Sequence, residues 1–154
     1  MNRVIVLDAG PLGLVTQRRG VAAADACRQR VADSIQRGAR VFVPAIADYE
    51  VRRELERAGR TRGIVRLDAF NAATSDRYVA LSDAALRLGA TLWARARAAG
   101  TPTADPRELD CDVLIAAQAL TLRAPERELV VATANVGHLE QFVPAMLWTA
   151  IQVT

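Results

Sequence analysis

Three carboxylates stand where this chain passes from apolar runs into helix-like segments. Asp8 follows VIVL directly and a break is expected at Gly10-Pro11 just after it, Glu50 lies a little beyond the Pro44 that stops RVFVP, and Asp112 sits in DCDVLIAAQAL. Asp8 alone decides little, because an aspartate at a strand end also serves as a turn-former or helix N-cap. Ligands of open α/β sheets, however, collect at the carboxyl ends of the strands. Three acids at one such rim repel each other and raise their pKa values unless a cation neutralises them. Carboxylates are the natural ligands of hard divalent ions, above all Mg²⁺ or Mn²⁺. Such an ion activates water and clamps a phosphodiester.

The neighbours of each acid are competing candidates. Asp48 lies roughly 200° from Glu50 around a helix, so it faces elsewhere. Glu54 shares the face of Glu50 but sits one turn, about 5.4–6 Å, farther from the sheet edge. The alternative for Glu50 is an exposed side chain paired with Arg53 or Arg57. Asp112 is expected in the first turn of its helix, where it would favour the dipole, with Asp110 as N-cap. Asp112 also keeps register with Ile115, Ala116 and Ala119, which places it on the inward face.

The elements that must position these acids follow from the apolar pattern. Short β-branched runs at 3–7, 40–44 and 128–135 predict buried parallel strands, with a shorter strand at 77–81 and a last edge strand at 146–153. Helices are expected over 25–38, 45–59, 61–73, 82–100 and 110–124, with a polar loop at 101–109. Strands alternating with helices predict a three-layer α/β/α sandwich with a mostly parallel central sheet, in one domain spanning 1–154.

Composition narrows the function classes. The chain has 154 residues, 51% hydrophobic and 24% charged, with a formal charge of +3. That bias toward polyanions is mild. All 20 basic residues are arginine, whose planar fork suits phosphate, although codon composition produces the same bias. With no lysine present, a P-loop and a response-regulator receiver are excluded. A haloacid-dehalogenase-type site wants a second aspartate at position 10, which is Gly10. Cys27 and Cys111 form no metal or redox motif, so reduced thiols in the cytoplasm are expected. No apolar run reaches the length of a membrane span, and no signal-peptide pattern is present.

Taken in order, VIVLDAGPL, VFVPAIADYEVRRE, DCDVLIAAQAL and LVVATANVGHLEQF resemble the PIN domain of VapC-type toxins over nearly the whole chain. The resemblance implies a PIN-like fold and a Mg²⁺- or Mn²⁺-dependent ribonuclease acting on single-stranded or looped RNA. It matches Asp8, Glu50 and Asp112 to the family's metal-holding acids. It also implies an antitoxin partner and a homodimer. The alternative is a catalytically weak or inactive PIN-like module that only binds RNA or protein. The last motif departs from the acidic pattern: Asn135 and His138 stand where some relatives carry an aspartate. Asn135 is therefore expected to orient a water or ligate through its carbonyl oxygen. Asp110 is a possible compensating acid. Gly10 replaces a hydroxyl residue common in such domains. The segment 61–73 offers Ile64, Val65, Leu67 and Phe70 as a face for another chain.

Overall fold

The computed structural model describes residues 3–100 and 106–152. Its sheet has five strands: β1 (Val4–Leu7), β2 (Arg40–Pro44), β3 (Tyr78–Val79), β4 (Leu129–Thr133) and β5 (Ala145–Leu147). Every pairing is parallel and the order is β3-β2-β1-β4-β5. Val4 pairs with Arg40 on one side and Leu129 on the other, so β1 is central. The chain steps outward from β1 to β3, then returns to lay β4 against the opposite edge of β1. That reversal makes the carboxyl ends of β1 and β4 the place where this topology opens a crevice.

Helices α1 (Ala9–Val15), α2 (Ala22–Gln36), α3 (Ala45–Arg57), α4 (Thr61–Ala72), α5 (Asp83–Ala98), α6 (Pro106–Leu120) and α7 (Val136–Leu139) surround the sheet. Successive side chains of a strand point to opposite faces. All residues of β1 and β4 are buried, so both faces are covered, as the three-layer expectation requires. Leu7, Leu12, Leu67, Ile115 and Leu139 are fully enclosed. Each such side chain contributes about 1.5–3 kcal/mol relative to exposure. Gly38 and Gly59 take positive φ just past α2 and α3, which stops those helices where the sequence predicts.

Four expectations are corrected. Gly10 and Pro11 do not break the chain after Asp8; they lie inside α1, which Asp8 caps. Pro11 is tolerated because the first four helical N–H groups have no intrahelical partner. The expected loop at 101–109 gives way to helix at Pro106, a residue whose fixed φ suits a first helical position; residues 101–105 lie outside the described residues. Asp110 therefore does not cap the helix, and Asp112 lies past the first turn, beyond the main reach of the helix dipole. The last strand is shorter than 146–153: β5 ends at Leu147 and a 3₁₀ turn covers Trp148–Ala150.

The proposed partner face on α4 is largely used internally. Leu67 is fully buried, Ile64 and Phe70 are half-buried, and only Val65 stands free, 67% exposed. α4 is fastened to α3 by Asp48, which accepts from Arg52 Nε at 2.9 Å and from Asn71 Nδ2 at 2.8 Å. Arg52 also reaches Asp68. Asp48 thus faces away from the sheet edge, as helical geometry predicts, and serves the α3–α4 joint.

Candidate active site

Asp8 is fixed from two sides. Its Oδ1 accepts from the Ala9 N–H at 2.8 Å, and its Oδ2 accepts from the Thr133 hydroxyl at 2.7 Å. Thr133 is fully buried at the end of β4 and its oxygen accepts in turn from the Asn135 N–H at 3.0 Å. The first turns after β1 and β4 are thereby joined through side chains.

Glu50 comes from α3 and Asp112 from α6. Both line, with Asp8, a cavity of about 510 Å³ whose other walls include Arg53, Glu108, Cys111, Asn135 and His138. The inward register expected for Asp112 holds, since Ile115, Ala116 and Ala119 on the same helix are buried. Glu54 does not line this cavity; it accepts from Arg57 Nε at 3.0 Å along a neighbouring groove. Asp110 is exposed and absent from the cavity wall, so it does not replace the missing acid. Glu108, one helical turn before Asp112, reaches the wall instead.

The electrostatics are those of crowded carboxylates. Burial, and then the charge of Asp8, push Glu50 up to about 7; Arg53 and a hydrogen bond from the Cys111 thiol pull it partly back. Burial, and again Asp8, push Asp112 up to about 6, against the opposing pull of His138. His138 Nδ1 lies 3.3 Å from Asp112 Oδ2. Burial and the Glu50 charge raise the Cys111 thiol to about 11, so it is a neutral donor in this setting. Cys27 lies elsewhere, on the buried side of α2, and both cysteines are free.

The donor set suits a hard divalent cation: it is oxygen-rich, and two of its members hold protons more tightly than free carboxylates. The side chains line the cavity without closing on one point. Among the described residues, no three His, Cys, Asp or Glu side chains are gathered closely enough to hold a metal as they stand. Residue type and shared exposure to one cavity fit the ion; a preformed cage is not what supports it.

Gly10 passes close to this corner. A Cβ there would stand 3.0 Å from the Ala134 Cβ, at the turn leading to Asn135. No local pattern in the sequence announces that approach, the Asp8–Thr133 bond, the Cys111–Glu50 contact or Glu108 at the wall. Each depends on segments distant in sequence or on the helix start at Pro106.

No protein-family model matches the sequence, and no curated protein matches it. Solved structures do share its architecture. A chain of VapBC2 from Rickettsia felis, bound to a promoter DNA fragment, superposes with a TM-score of 0.67 at 12% identity, covering 94% of this chain and 98% of that one. A chain of FitAcB from Neisseria gonorrhoeae gives 0.63 at 17% identity, covering 96% and 99%. A chain of VapBC-1 from nontypeable Haemophilus influenzae gives 0.63 at 17%, covering 95% and 98%. At these identities the likeness is one of fold. With its parallel five-stranded sheet and near end-to-end overlap, the chain shares the α/β fold of these VapBC and FitAcB chains, the fold expected from its resemblance to PIN domains.

Proposed function

We propose that this protein is a Mg²⁺- or Mn²⁺-dependent endoribonuclease and the toxin of a toxin–antitoxin pair. The observation that carries the reading is the meeting of Asp8, Glu50 and Asp112 on one cavity wall, beside the carboxyl ends of β1 and β4. A bound divalent ion would supply an activated water and neutralise charge on a phosphodiester. Asp8, Glu50 and Asp112 would hold it, with Asp8 oriented by Thr133 and Ala9. Asn135, exposed on the wall, would orient water through its amide. A recessed acidic floor favours single-stranded or looped RNA, whose backbone can bend into it.

The antitoxin part of the reading rests on the structures named VapBC and FitAcB and on a groove beside the site. That groove, about 760 Å³, has Leu14, Val51 and Leu55 on its floor and Arg18, Arg57 and Arg60 among its lining. Apolar ground with arginines suits an acidic amphipathic segment of a partner chain. Self-association as a homodimer belongs to the same reading, and light scattering at micromolar concentration tests it: a strict monomer contradicts it. Among the described residues no helix is long and apolar enough to cross a membrane, and we place the pair in the cytoplasm.

The test is cleavage of a structured RNA with Mn²⁺, with chelator, and with Asp8→Asn. Cleavage abolished by chelator and by Asp8→Asn, with folding intact, supports the reading; undiminished cleavage by Asp8→Asn contradicts it. A second reading, a PIN-like module that binds RNA or protein without cutting, is favoured by Asn135 standing in place of a further acid. Calorimetry separates the two, since absence of divalent binding selects the second.

A further inference from the structure

The acidic cavity and the neighbouring groove share one cationic side chain, Arg53, three residues beyond Glu50 on α3. Its neighbours on the helix are occupied: Arg52 pairs with Asp48 and Asp68, and Arg57 pairs with Glu54. Among the described residues Arg53 makes no ion pair. Its guanidinium lies instead over the Tyr49 ring, 5.3 Å from the centroid, and Tyr49 is 55% exposed. An exposed contact of this kind is worth about 0.5–1 kcal/mol. That contact steadies a side chain that lines both the cavity and the groove, and among the described residues no carboxylate occupies its fork.

The site needs such a group. A phosphodiester entering the cavity faces the carboxylates of Asp8, Glu50, Glu108 and Asp112, and among the described residues Arg53 is the one arginine in that lining. A fixed cation at the lip offsets that repulsion, and a guanidinium can grip two phosphate oxygens at once.

We propose that Arg53 is the substrate-phosphate ligand of this site, gripping non-bridging oxygens of the scissile phosphate or its neighbour, with Tyr49 as the positioning residue beneath it. The proposal rests on the ribonuclease reading above. Arg53 transfers no proton and forms no covalent bond; it stabilises negative charge on phosphoryl oxygens. Arg18, Arg57 and Arg60 extend positive charge away from it along the groove.

The test uses a fluorescein-labelled single-stranded oligoribonucleotide. Affinity is read by anisotropy in an Asp8→Asn background, where the oligonucleotide stays intact, over a series of salt concentrations. Cleavage with Mn²⁺ is read in the otherwise native chain. Arg53→Ala is expected to weaken binding about tenfold or more, as loss of a hydrogen bond to a charged group does. The salt dependence, log K against log salt, should flatten by about 0.7, the slope of one phosphate contact on a single strand. Arg53→Lys should recover affinity better than cleavage rate, because it restores charge without the fork. Tyr49→Ala should weaken binding, and Tyr49→Phe should restore it. Unchanged affinity and salt slope in Arg53→Ala overturn the proposal. If the native chain cleaves, Asp8→Asn does not, and Arg53→Ala cleaves at the native rate, only the Arg53 assignment fails. If the native chain neither binds nor cleaves RNA, both readings fail. If Arg53→Ala weakens binding of a polyglutamate peptide and leaves RNA affinity untouched, Arg53 belongs to a protein interface and the proposal is overturned.

Discussion

The hydroxyl of Thr133 donates to Asp8 Oδ2 at 2.7 Å and ties the ends of the two adjacent strands β4 and β1 together at the site. Thr133 is fully buried, while Asp8 is half-buried and lines the cavity. Thr133→Val keeps the shape and leaves Asp8 Oδ2 and the Asn135 N–H without this partner. The expected cost is about 1.5–3 kcal/mol of stability, the range for a hydrogen bond to a charged group. Thr133→Ser should recover most of it. Urea unfolding measures the difference; equal midpoints for the Val variant and the native chain would show that the bond does not hold Asp8.

Stability should depend on pH in an unusual direction for carboxylates. Glu50 and Asp112 bind protons more tightly folded than unfolded, at about 7 and about 6 against ordinary values of 4.5 and 3.8. The native state then holds more protons than the unfolded state between those limits, so raising the pH removes stability. Without divalent ions, these two groups should make the melting temperature fall as pH rises from about 4 to about 7. Glu50→Gln should flatten the slope. Mn²⁺ should raise the melting temperature more at pH 8 than at pH 5, since the ion competes with protons for the same oxygens. A melting temperature that rises across that window, unaltered by Glu50→Gln, would contradict the crowding described here.

Gly10→Ser should be unfavourable even though a hydroxyl residue there is common among the proteins this sequence resembles. The added Cβ would stand 3.0 Å from the Ala134 Cβ, and neither atom lies at the end of a flexible chain. Because Gly10 is exposed, the expected loss is at the low end of overpacking costs, about 1 kcal/mol. In an Ala134→Gly background the loss should shrink. Chemical unfolding of the four proteins in this cycle gives the coupling; simple additivity would mean the close approach is immaterial.

Much of this was legible in the sequence, and what was not has physical causes. Asp8, Glu50 and Asp112 share a wall because strand ends and helical register are local properties, readable from apolar spacing. The inward side of α6 followed from Ile115, Ala116 and Ala119, although its start did not. Two prolines read as loop, and Pro106 instead opens the helix. Likewise Gly10 and Pro11 read as a break, and Asp8 caps a helix that contains them. The Thr133–Asp8 bond joins residues 125 positions apart, so no local pattern announces it. Arg53 was visible only as a possible partner for Glu50; its place at the lip follows from how α3 meets the cavity.

Asn135→Asp should tighten Mn²⁺ binding, because it adds a charge to the same wall. Added repulsion should make the metal-free protein less stable at neutral pH. Calorimetry and melting curves on one preparation measure both effects. Weaker Mn²⁺ binding with an unchanged melting temperature would remove Asn135 from the site.

The most direct test of the central claim is the anomalous-scattering map of crystals grown with Mn²⁺. A peak is predicted in the cavity between α3, α6 and the end of β1, with carboxylate oxygens of Asp8, Glu50 and Asp112 moved in to ligate it at about 2.0–2.6 Å, directly or through water. Saturating Mn²⁺ with no peak at Asp8, or a peak held by other residues, would contradict the account.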